Sequence, residues 1–321
     1  MEKYINPYTD FGFKKLFGSE LNKDLLIGFL NALFEEAKQL PDDKILDVKY
    51  LNSEQLGRSP HDRKAVFDVL CETEKGTKFH LEMQNVFQEF FIDRTIYYST
   101  FPIQNMAKKD SAEEGRWNFQ LQRLYSVNLL NFTFKEDKKK GTDGQDKKTI
   151  VNEISEEDLM HCVMLKNIKT NKIFFDKLVF IYLEMPKFKK PIEECKTFYE
   201  KWLFVLQNLT RLLERPKELQ ERVFKKLFEQ AEIANYTPEE YEAYEESLKN
   251  LWDIANGMEA AEKKGIKKGL AEGEKIGMEK GIAEGEKSKA LSIARQMKSD
   301  GVPLENIAKY TNLPISEIQS L

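Results

Sequence analysis

The chain has 321 residues, which is long enough for a sizeable core and for more than one structural unit. Its net charge of −4 gives no overall basic character of the kind that marks nucleic-acid-binding proteins. No apolar run reaches the roughly 18 to 20 residues of a membrane helix, so we expect no membrane contact. The three cysteines are far apart and form no disulfide framework, which favours a reduced, cytoplasmic location.

The first elements in chain order are two predicted helices within residues 10–36. Their apolar residues recur at helical spacing, Thr9 can cap the first turn, and Gly18 marks the end of the first helix. Residues 44–52 follow as a predicted strand, because they carry Ile, Val and Tyr in a short run.

Residues 65–85, AVFDVLCETEKGTKFHLEMQN, are predicted to form a β-hairpin. Gly76 adopts a left-handed backbone easily, so it can close a three-residue loop over 74–76. This register places three apolar pairs on one face, namely Phe67–Met83, Val69–Leu81 and Cys71–Phe79. A two-residue loop would shift the register by one residue and mix the two faces. The clean sorting of the side chains therefore favours the three-residue loop.

The other face of the same hairpin places Asp68 opposite Glu82, with Cβ atoms roughly 4.5–5.5 Å apart, and Val66 opposite Gln84. Two like charges in direct opposition destabilise a sheet, so a cationic group should compensate them. A divalent metal ion is one candidate, since magnesium prefers oxygen ligands and often takes one or two carboxylates. A solvated strand face that tolerates the acidic pair is the alternative.

Downstream of the hairpin, helical and strand-like segments alternate along the chain. In order they are a helix over 91–109 that contains Pro102, an alternating strand over 123–134, a polar loop over 135–148, a segment of unclear type over 154–165, a strand over 178–185, and three helices within 193–252. This order predicts an α/β fold in which a small mixed β-sheet is flanked by helices, with an all-helical C-terminal extension.

Six short segments occur in the order found in one nuclease family. They are DFGFKKLFG at 10–18, DRKAVFDV at 62–69, HLEMQ at 80–84, RTIYY at 94–98, LYSVNLLNF at 124–132 and LEMPKF at 183–188. Asp68 followed by Glu82, Met83 and Gln84 resembles the PD-(D/E)xK signature, with Gln84 where the lysine usually stands. Over roughly residues 4–250 the chain is thus similar to the Rpn family, the recombination-promoting nucleases that are often labelled transposases.

The resemblance implies a restriction-endonuclease-like core and a magnesium- or manganese-dependent DNA endonuclease linked to DNA recombination or transposition. Asp68, Glu82 and the backbone carbonyl of Met83 would bind the metal ion. Gln84 would orient the attacking water or a phosphate oxygen. Asp10 matches the acidic position on the first helix, where it would hold an outer-shell water or a second ion. The alternative for Asp10 is a residue that the helix dipole favours at a helix start.

Gln84 departs from the signature because an amide cannot supply the positive charge of a lysine. Lys64 is a candidate replacement if its long side chain reaches the site, and a solvated lysine at a strand end is the alternative. Arg94, on the following helix, could contact a phosphate. A catalytically inactive nuclease-fold module that binds DNA or protein is therefore the alternative function.

The C-terminal part carries glycines at a four-residue step between 257 and 285, with Ala261 in place of one glycine. Each interior glycine costs a helix about 1 kcal/mol relative to alanine. We therefore predict a nuclease-like domain over 1–252, a charged connector over 253–287 that is either flexible and partly helical or a helix stabilised by a partner, and a small helix-turn-helix-like module over 288–321. A homo-oligomer formed through this tail follows from the second alternative.

Overall fold

The structure is a computed structural model, and it describes residues 2–38, 44–55, 65–106, 119–134 and 158–321. The chain divides into two compact units, residues 1–251 and residues 252–321.

Eight strands lie in the described residues of the first unit. They are β1 (Lys49–Tyr50), β2 (Glu54–Gln55), β3 (Ala65–Val66), β4 (Val69–Glu72), β5 (Lys78–Gln84), β6 (Leu124–Leu130), β7 (Met160–Lys166) and β8 (Ile173–Glu184). Six of them form one mixed sheet in the order β1-β4-β5-β6-β8-β7, while β2 and β3 pair separately. The three central strands β5, β6 and β8 are parallel, and the pairs toward both edges are antiparallel.

Eight α-helices complete the described chain. They are α1 (Asp10–Phe17), α2 (Lys23–Ala37), α3 (Phe91–Met106), α4 (Phe198–Asn208), α5 (Arg222–Ala231), α6 (Pro238–Ser299), α7 (Leu304–Thr311) and α8 (Ile315–Ser320). Helices α1, α2, α4 and α5 bury their apolar side chains in one large core against one face of the sheet. Helix α3 covers the other face. The α/β fold with a small mixed sheet flanked by helices is thereby confirmed.

Helix α1 begins and ends where the sequence predicts. The Thr9 hydroxyl accepts a hydrogen bond from the Gly12 backbone N–H, and Gly18 follows the last helical residue. A Cβ atom on Gly12 would lie 2.1 Å from the carbonyl oxygen of Asn6. Glycine is therefore required at this position, because the chain before the helix folds back against it.

The predicted hairpin register is confirmed over β4 and β5. Val69 pairs with Leu81, Cys71 pairs with Phe79, and the ladder ends at the three-residue loop. Gly76 closes that loop with a φ of +78°. Its N–H donates to the Thr73 carbonyl at 2.9 Å. The turn chemistry and the apolar sorting were sufficient to set this pairing.

The hairpin prediction is wrong beyond Val69, because the first strand breaks at Phe67 and Asp68. Val66 belongs to β3 and pairs with Glu54 of β2, so it does not lie opposite Gln84. Phe67 packs edge-on against His80, with ring centroids 4.5 Å apart, and so lies on the face opposite to the one predicted. The separate β2–β3 pair takes the chain out of the ladder at this point.

Three further strand predictions needed correction. The strand predicted over 44–52 is reduced to the two residues of β1. Strand β6 was expected to alternate, but all seven of its residues are buried, as is typical of a central parallel strand covered on both faces. The segment of unclear type contains β7, which pairs with an extended β8.

No helix in the described part of the chain is long and apolar enough to cross a membrane. The predicted loop over 135–148 lies outside the described residues.

The second unit contains the glycine-periodic segment, which lies entirely within α6. A Cβ atom added at any glycine from Gly257 to Gly285 would meet nothing within 4 Å. Close packing within the described chain therefore does not require these glycines. Downstream, α7 and α8 begin after Pro303 and Pro314, and they pack with the end of α6 around a small apolar cluster. The domain boundaries and the association through the tail stay predictions.

We predict that Gly269→Ala stabilises α6, because alanine favours an exposed helix interior by about 1 kcal/mol over glycine. Amide hydrogen exchange of the surrounding helix should slow about fivefold in the full chain. The mass of the variant in solution should be measured together with its hydrogen exchange. Faster exchange, or a lower mass than that of the parent chain, would indicate that a partner helix lies against Gly269.

Candidate active site

Asp68 lies at the bend between β3 and β4, one residue before the antiparallel ladder begins. Its Oδ2 atom accepts a hydrogen bond of 2.9 Å from the backbone N–H of Met83. This bond holds the Asp68 carboxylate against β5, at the residue next to Glu82. The Asp68 side chain therefore reaches the strand residue next to Glu82, beyond the end of the strand ladder.

The environment of Asp68 disfavours a bare negative charge. Burial, together with the charges of Glu82 and Asp10, raises the pKa of Asp68 to about 6. The Met83 N–H and the positive charge of Lys14 act in the opposite direction. The charges of one carboxylate on α1 and one on β5 thus act on Asp68 at the bend.

Asp10 is the most exposed of these acids. It lies in the first turn of α1, where its side chain keeps 63% of its surface accessible. Its Oδ1 atom forms an ion pair of 2.7 Å with Lys14, one helical turn later. The charge of Asp10 acts on Asp68, and the helix dipole also favours an acid at this position, so a role for Asp10 in the site stays a prediction.

Glu82 is nearly inaccessible, with 5% of its surface exposed. Its Oε1 atom lies 3.1 Å from Nε2 of His80, and its Oε2 atom lies 3.7 Å from a terminal nitrogen of Arg94. The His80 Nε2 atom makes no hydrogen bond within the described chain, because its contact with Glu82 is short but poorly aligned. Glu82 is therefore a buried acid with one cationic neighbour supplied by α3.

The Met83 carbonyl faces the same side of β5 as Asp68. The N–H and C=O groups of one strand residue point to the same side, and the Met83 N–H bonds to Asp68. The next carbonyl, that of Gln84, points the other way and accepts from the Asn131 N–H at 2.9 Å. Carboxylate and carbonyl oxygens therefore lie at one edge of β5.

Gln84 shares the face of Glu82 and is held by two contacts. Its amide nitrogen donates to the Val86 carbonyl at 3.0 Å, and its amide oxygen accepts from the Arg94 guanidinium. Arg94 also donates to Gln88 at 2.7 Å and lies over the rings of Phe91 and Tyr98. Arg94 thus places a positive charge beside Glu82 and Gln84, where the signature lysine would be. Lys64, the candidate replacement, lies outside the described residues.

A row of buried polar side chains beneath α3 was not predicted. Ser126 and Asn128 of β6 are fully buried and lie in register with His80 and Glu82 of β5. Asn128 donates to the Ser126 carbonyl at 3.1 Å, while its own amide oxygen has no partner in the described chain. The sequence does contain the signal, since two polar residues at alternate positions interrupt an apolar strand.

The oxygen donors of this site fit a magnesium or manganese ion. Among the described residues, no three His, Cys, Asp or Glu side chains form a group that could hold a metal ion. Magnesium nevertheless usually takes only one or two protein carboxylates, keeps several waters and binds substrate phosphates. Asp68, Glu82 and the Met83 carbonyl meet this requirement, and a cation would relieve the repulsion at Asp68.

These features define a class of protein: a mixed α/β domain in which an aspartate lies beside a Glu-x-Gln element of β5, and an arginine from α3 contacts that element. The chain matches the family described as PD-(D/E)XK nuclease family transposase over residues 7–261, and it belongs to that family. The match confirms the suspected relationship and supports a nuclease- or transposase-like function. Comparisons with curated proteins and with solved structures give no match.

We predict that Asp68→Asn stabilises the metal-free protein in a pH-dependent way. The pKa of Asp68 is raised from 3.8 to about 6, so its contribution to stability is full below pH 3.8 and is lost as the pH rises through 6. Asparagine cannot ionise and avoids this loss. The advantage of the variant should grow by about 2 kcal/mol between pH 4.5 and 7.5.

Urea unfolding with EDTA at both pH values measures this difference. An advantage that is equal at the two pH values would show that Asp68 titrates normally in the folded protein.

Proposed function

We propose that this protein is a magnesium-dependent DNA endonuclease that hydrolyses phosphodiester bonds. The observation that carries the proposal is the Asp68 carboxylate held on the Met83 N–H, next to the buried Glu82. Membership of the PD-(D/E)XK nuclease family supports the same chemistry and DNA as the substrate. The family description as a transposase supports a role in DNA recombination or transposition.

Each residue has a distinct role in this proposal. Asp68, Glu82 and the Met83 carbonyl would hold the ion, which supplies Lewis-acid activation of the phosphate and of a water when bound. Gln84 orients the attacking water or a phosphate oxygen through its side-chain amide. Asp10 would hold an outer-shell water of the metal ion on the α1 side, where the charge of Asp10 acts on Asp68.

Arg94 supplies the positive charge that Gln84 lacks. Its guanidinium contacts both Glu82 and Gln84, so a phosphate bound at these residues would lie within its reach. A guanidinium can bind two phosphate oxygens at once, and it stays protonated under all relevant conditions. In the PD-(D/E)xK signature this cation is a lysine on the strand. In this chain we propose that Arg94, on the following helix, takes that role.

A second candidate function is a nuclease-fold module that binds DNA or protein without cutting. Glu82 already has the Arg94 guanidinium as a neighbour, and this contact satisfies part of its charge in the absence of a metal ion. Such a module would bind DNA equally well with and without divalent ions.

The test of the proposal is the nicking of supercoiled plasmid DNA by the full chain. We expect nicking in magnesium or manganese, none in EDTA, and none with Asp68→Ala in any divalent ion. If the parent chain and Asp68→Ala are equally inactive while both retain DNA, the second candidate function is correct.

A further inference from the structure

A polar cleft of about 670 Å³ opens near the carboxyl ends of β6 and β8. Its lining includes Asn131, which directly follows β6, residues 186 and 188–191 after β8, and residues from the C-terminal end of α4. The crevice at the carboxyl ends of parallel strands is where open α/β sheets commonly bind ligands. The position of the cleft therefore suits a binding site.

The charge of the cleft contrasts with the acidic chain. Its lining contains Lys189, Lys190 and Arg211, and no acidic residue from the described part of the chain. Lys190 is paired with Glu200. Lys189 and Arg211 are exposed and form no ion pair with a described residue. Two positive charges are thus available for an anionic ligand in a protein whose net charge is −4.

Tyr8 also lines the cleft, and its hydroxyl group is buried. Tyr8 is 9% exposed, and its hydroxyl has no hydrogen-bond partner among the described residues. Burial raises the pKa of Tyr8, so the group remains a hydrogen-bond donor at neutral pH. A buried polar group without a partner is costly, and a ligand oxygen in the cleft would remove that cost.

The cleft adjoins the candidate active site through direct hydrogen bonds. Asn85, the residue after Gln84, donates from its side chain to the Tyr8 carbonyl at 2.6 Å. Asn131 donates to the Asn85 side chain at 3.4 Å and to the Gln84 carbonyl at 2.9 Å. A chain-like ligand bound at Gln84 would therefore continue into this cleft.

We propose that the cleft binds backbone phosphates of the DNA strand next to the bond at the active site, with Lys189 and Arg211 each neutralising a phosphate and Tyr8 donating to a phosphate oxygen. The identity of the ligand as DNA rests on the proposed function. The two cations, the unpartnered hydroxyl and the connection to Gln84 all suit a repeating phosphodiester. They give no base readout, so this binding is independent of DNA sequence.

The test is the salt dependence of DNA binding by the full chain. Anisotropy of a fluorescent duplex, measured in EDTA to prevent cleavage, gives the slope of log affinity against log salt. Each phosphate contact contributes about 0.9 to that slope, so Lys189→Gln with Arg211→Gln should flatten it by about 2. At 0.1 M salt the affinity should fall on the order of 50-fold.

A matched control removes two other exposed lysines, Lys169 and Lys172, by substitution with glutamine. They lie in the turn before β8, at the end of that strand away from the cleft. The slope of this control should equal that of the parent chain. Tyr8→Phe removes only the hydroxyl and should weaken binding about two- to tenfold with no change of slope.

The outcomes separate this proposal from the proposed function. If the parent chain nicks DNA but the cleft variant keeps the parental slope, the cleft assignment is wrong and the nuclease assignment remains. If the slope flattens while no nicking occurs in any divalent ion, the cleft binds DNA and hydrolysis is wrong. If the parent chain retains no duplex at any salt concentration, the cleft proposal is overturned.

Discussion

Glu82→Gln is expected to lower magnesium-dependent cleavage at least about 1000-fold, because a proposed metal ligand becomes a neutral amide of the same shape. Losing about 4 kcal/mol of transition-state stabilisation gives a change of this size. The substitution keeps the volume of a side chain that is only 5% exposed, so the fold should persist. Single-turnover cleavage of a plasmid at saturating magnesium measures the effect.

Glu72→Gln is the matched control for this variant. Glu72 belongs to the same hairpin and pairs with Lys78 near the loop, at the end of β5 away from Glu82. Its cleavage rate should stay within about twofold of the parent rate. Equal losses in the two variants would mean that the hairpin is merely destabilised, and equal full activity would exclude Glu82 as a ligand.

Arg94→Ala is expected to lower cleavage about 100-fold while metal binding persists. Removing one preorganised charge or donor at a developing phosphate charge commonly costs 10²–10³ in rate, roughly 2.7–4 kcal/mol. The metal should bind at least as well in the variant, because a positive charge 3.7 Å from Glu82 Oε2 has been removed. Cleavage rate and magnesium affinity should therefore change in different directions.

Arg94→Lys keeps the charge and should recover part of the lost rate, which separates an electrostatic role from the packing of Arg94 over Phe91 and Tyr98. Arg123→Ala is the matched control, because Arg123 forms an ion pair of 2.7 Å with Asp176 outside the site. If the Arg94→Ala variant cleaves at the parental rate, Arg94 does not supply the catalytic positive charge.

The hairpin shows how far local sequence information reaches. The register over β4 and β5 was predictable because Gly76 and the apolar sorting are both local features: Gly76 left two loop lengths, and the sorting chose between them. The break at Phe67 and Asp68 was not predictable, since it depends on the pairing of Val66 with Glu54, twelve residues earlier. No glycine or proline marks the break.

The candidate site, like the hairpin, was predictable only in part. The nearness of Asp68 and Glu82 was expected from strand pairing, yet the structure achieves it through the Met83 N–H. The contacts of Arg94 with Glu82 and Gln84 join a helix to a strand. The spacing of residues in the sequence does not predict a contact between a helix and a strand. The packing of α3 on the sheet determines which of their residues touch.

The most direct test of the central claim is calorimetric titration of magnesium, and of manganese, into the parent chain, Asp68→Asn, Glu82→Gln and the double variant. If Asp68 and Glu82 share one ion, the parent chain binds it saturably and each single variant binds at least about tenfold more weakly. The double variant then loses less binding free energy than the sum of the two single losses, because both ligands bind the same ion. Equal affinity in all four proteins, or no divalent binding by the parent chain in the presence of duplex DNA, would contradict the account.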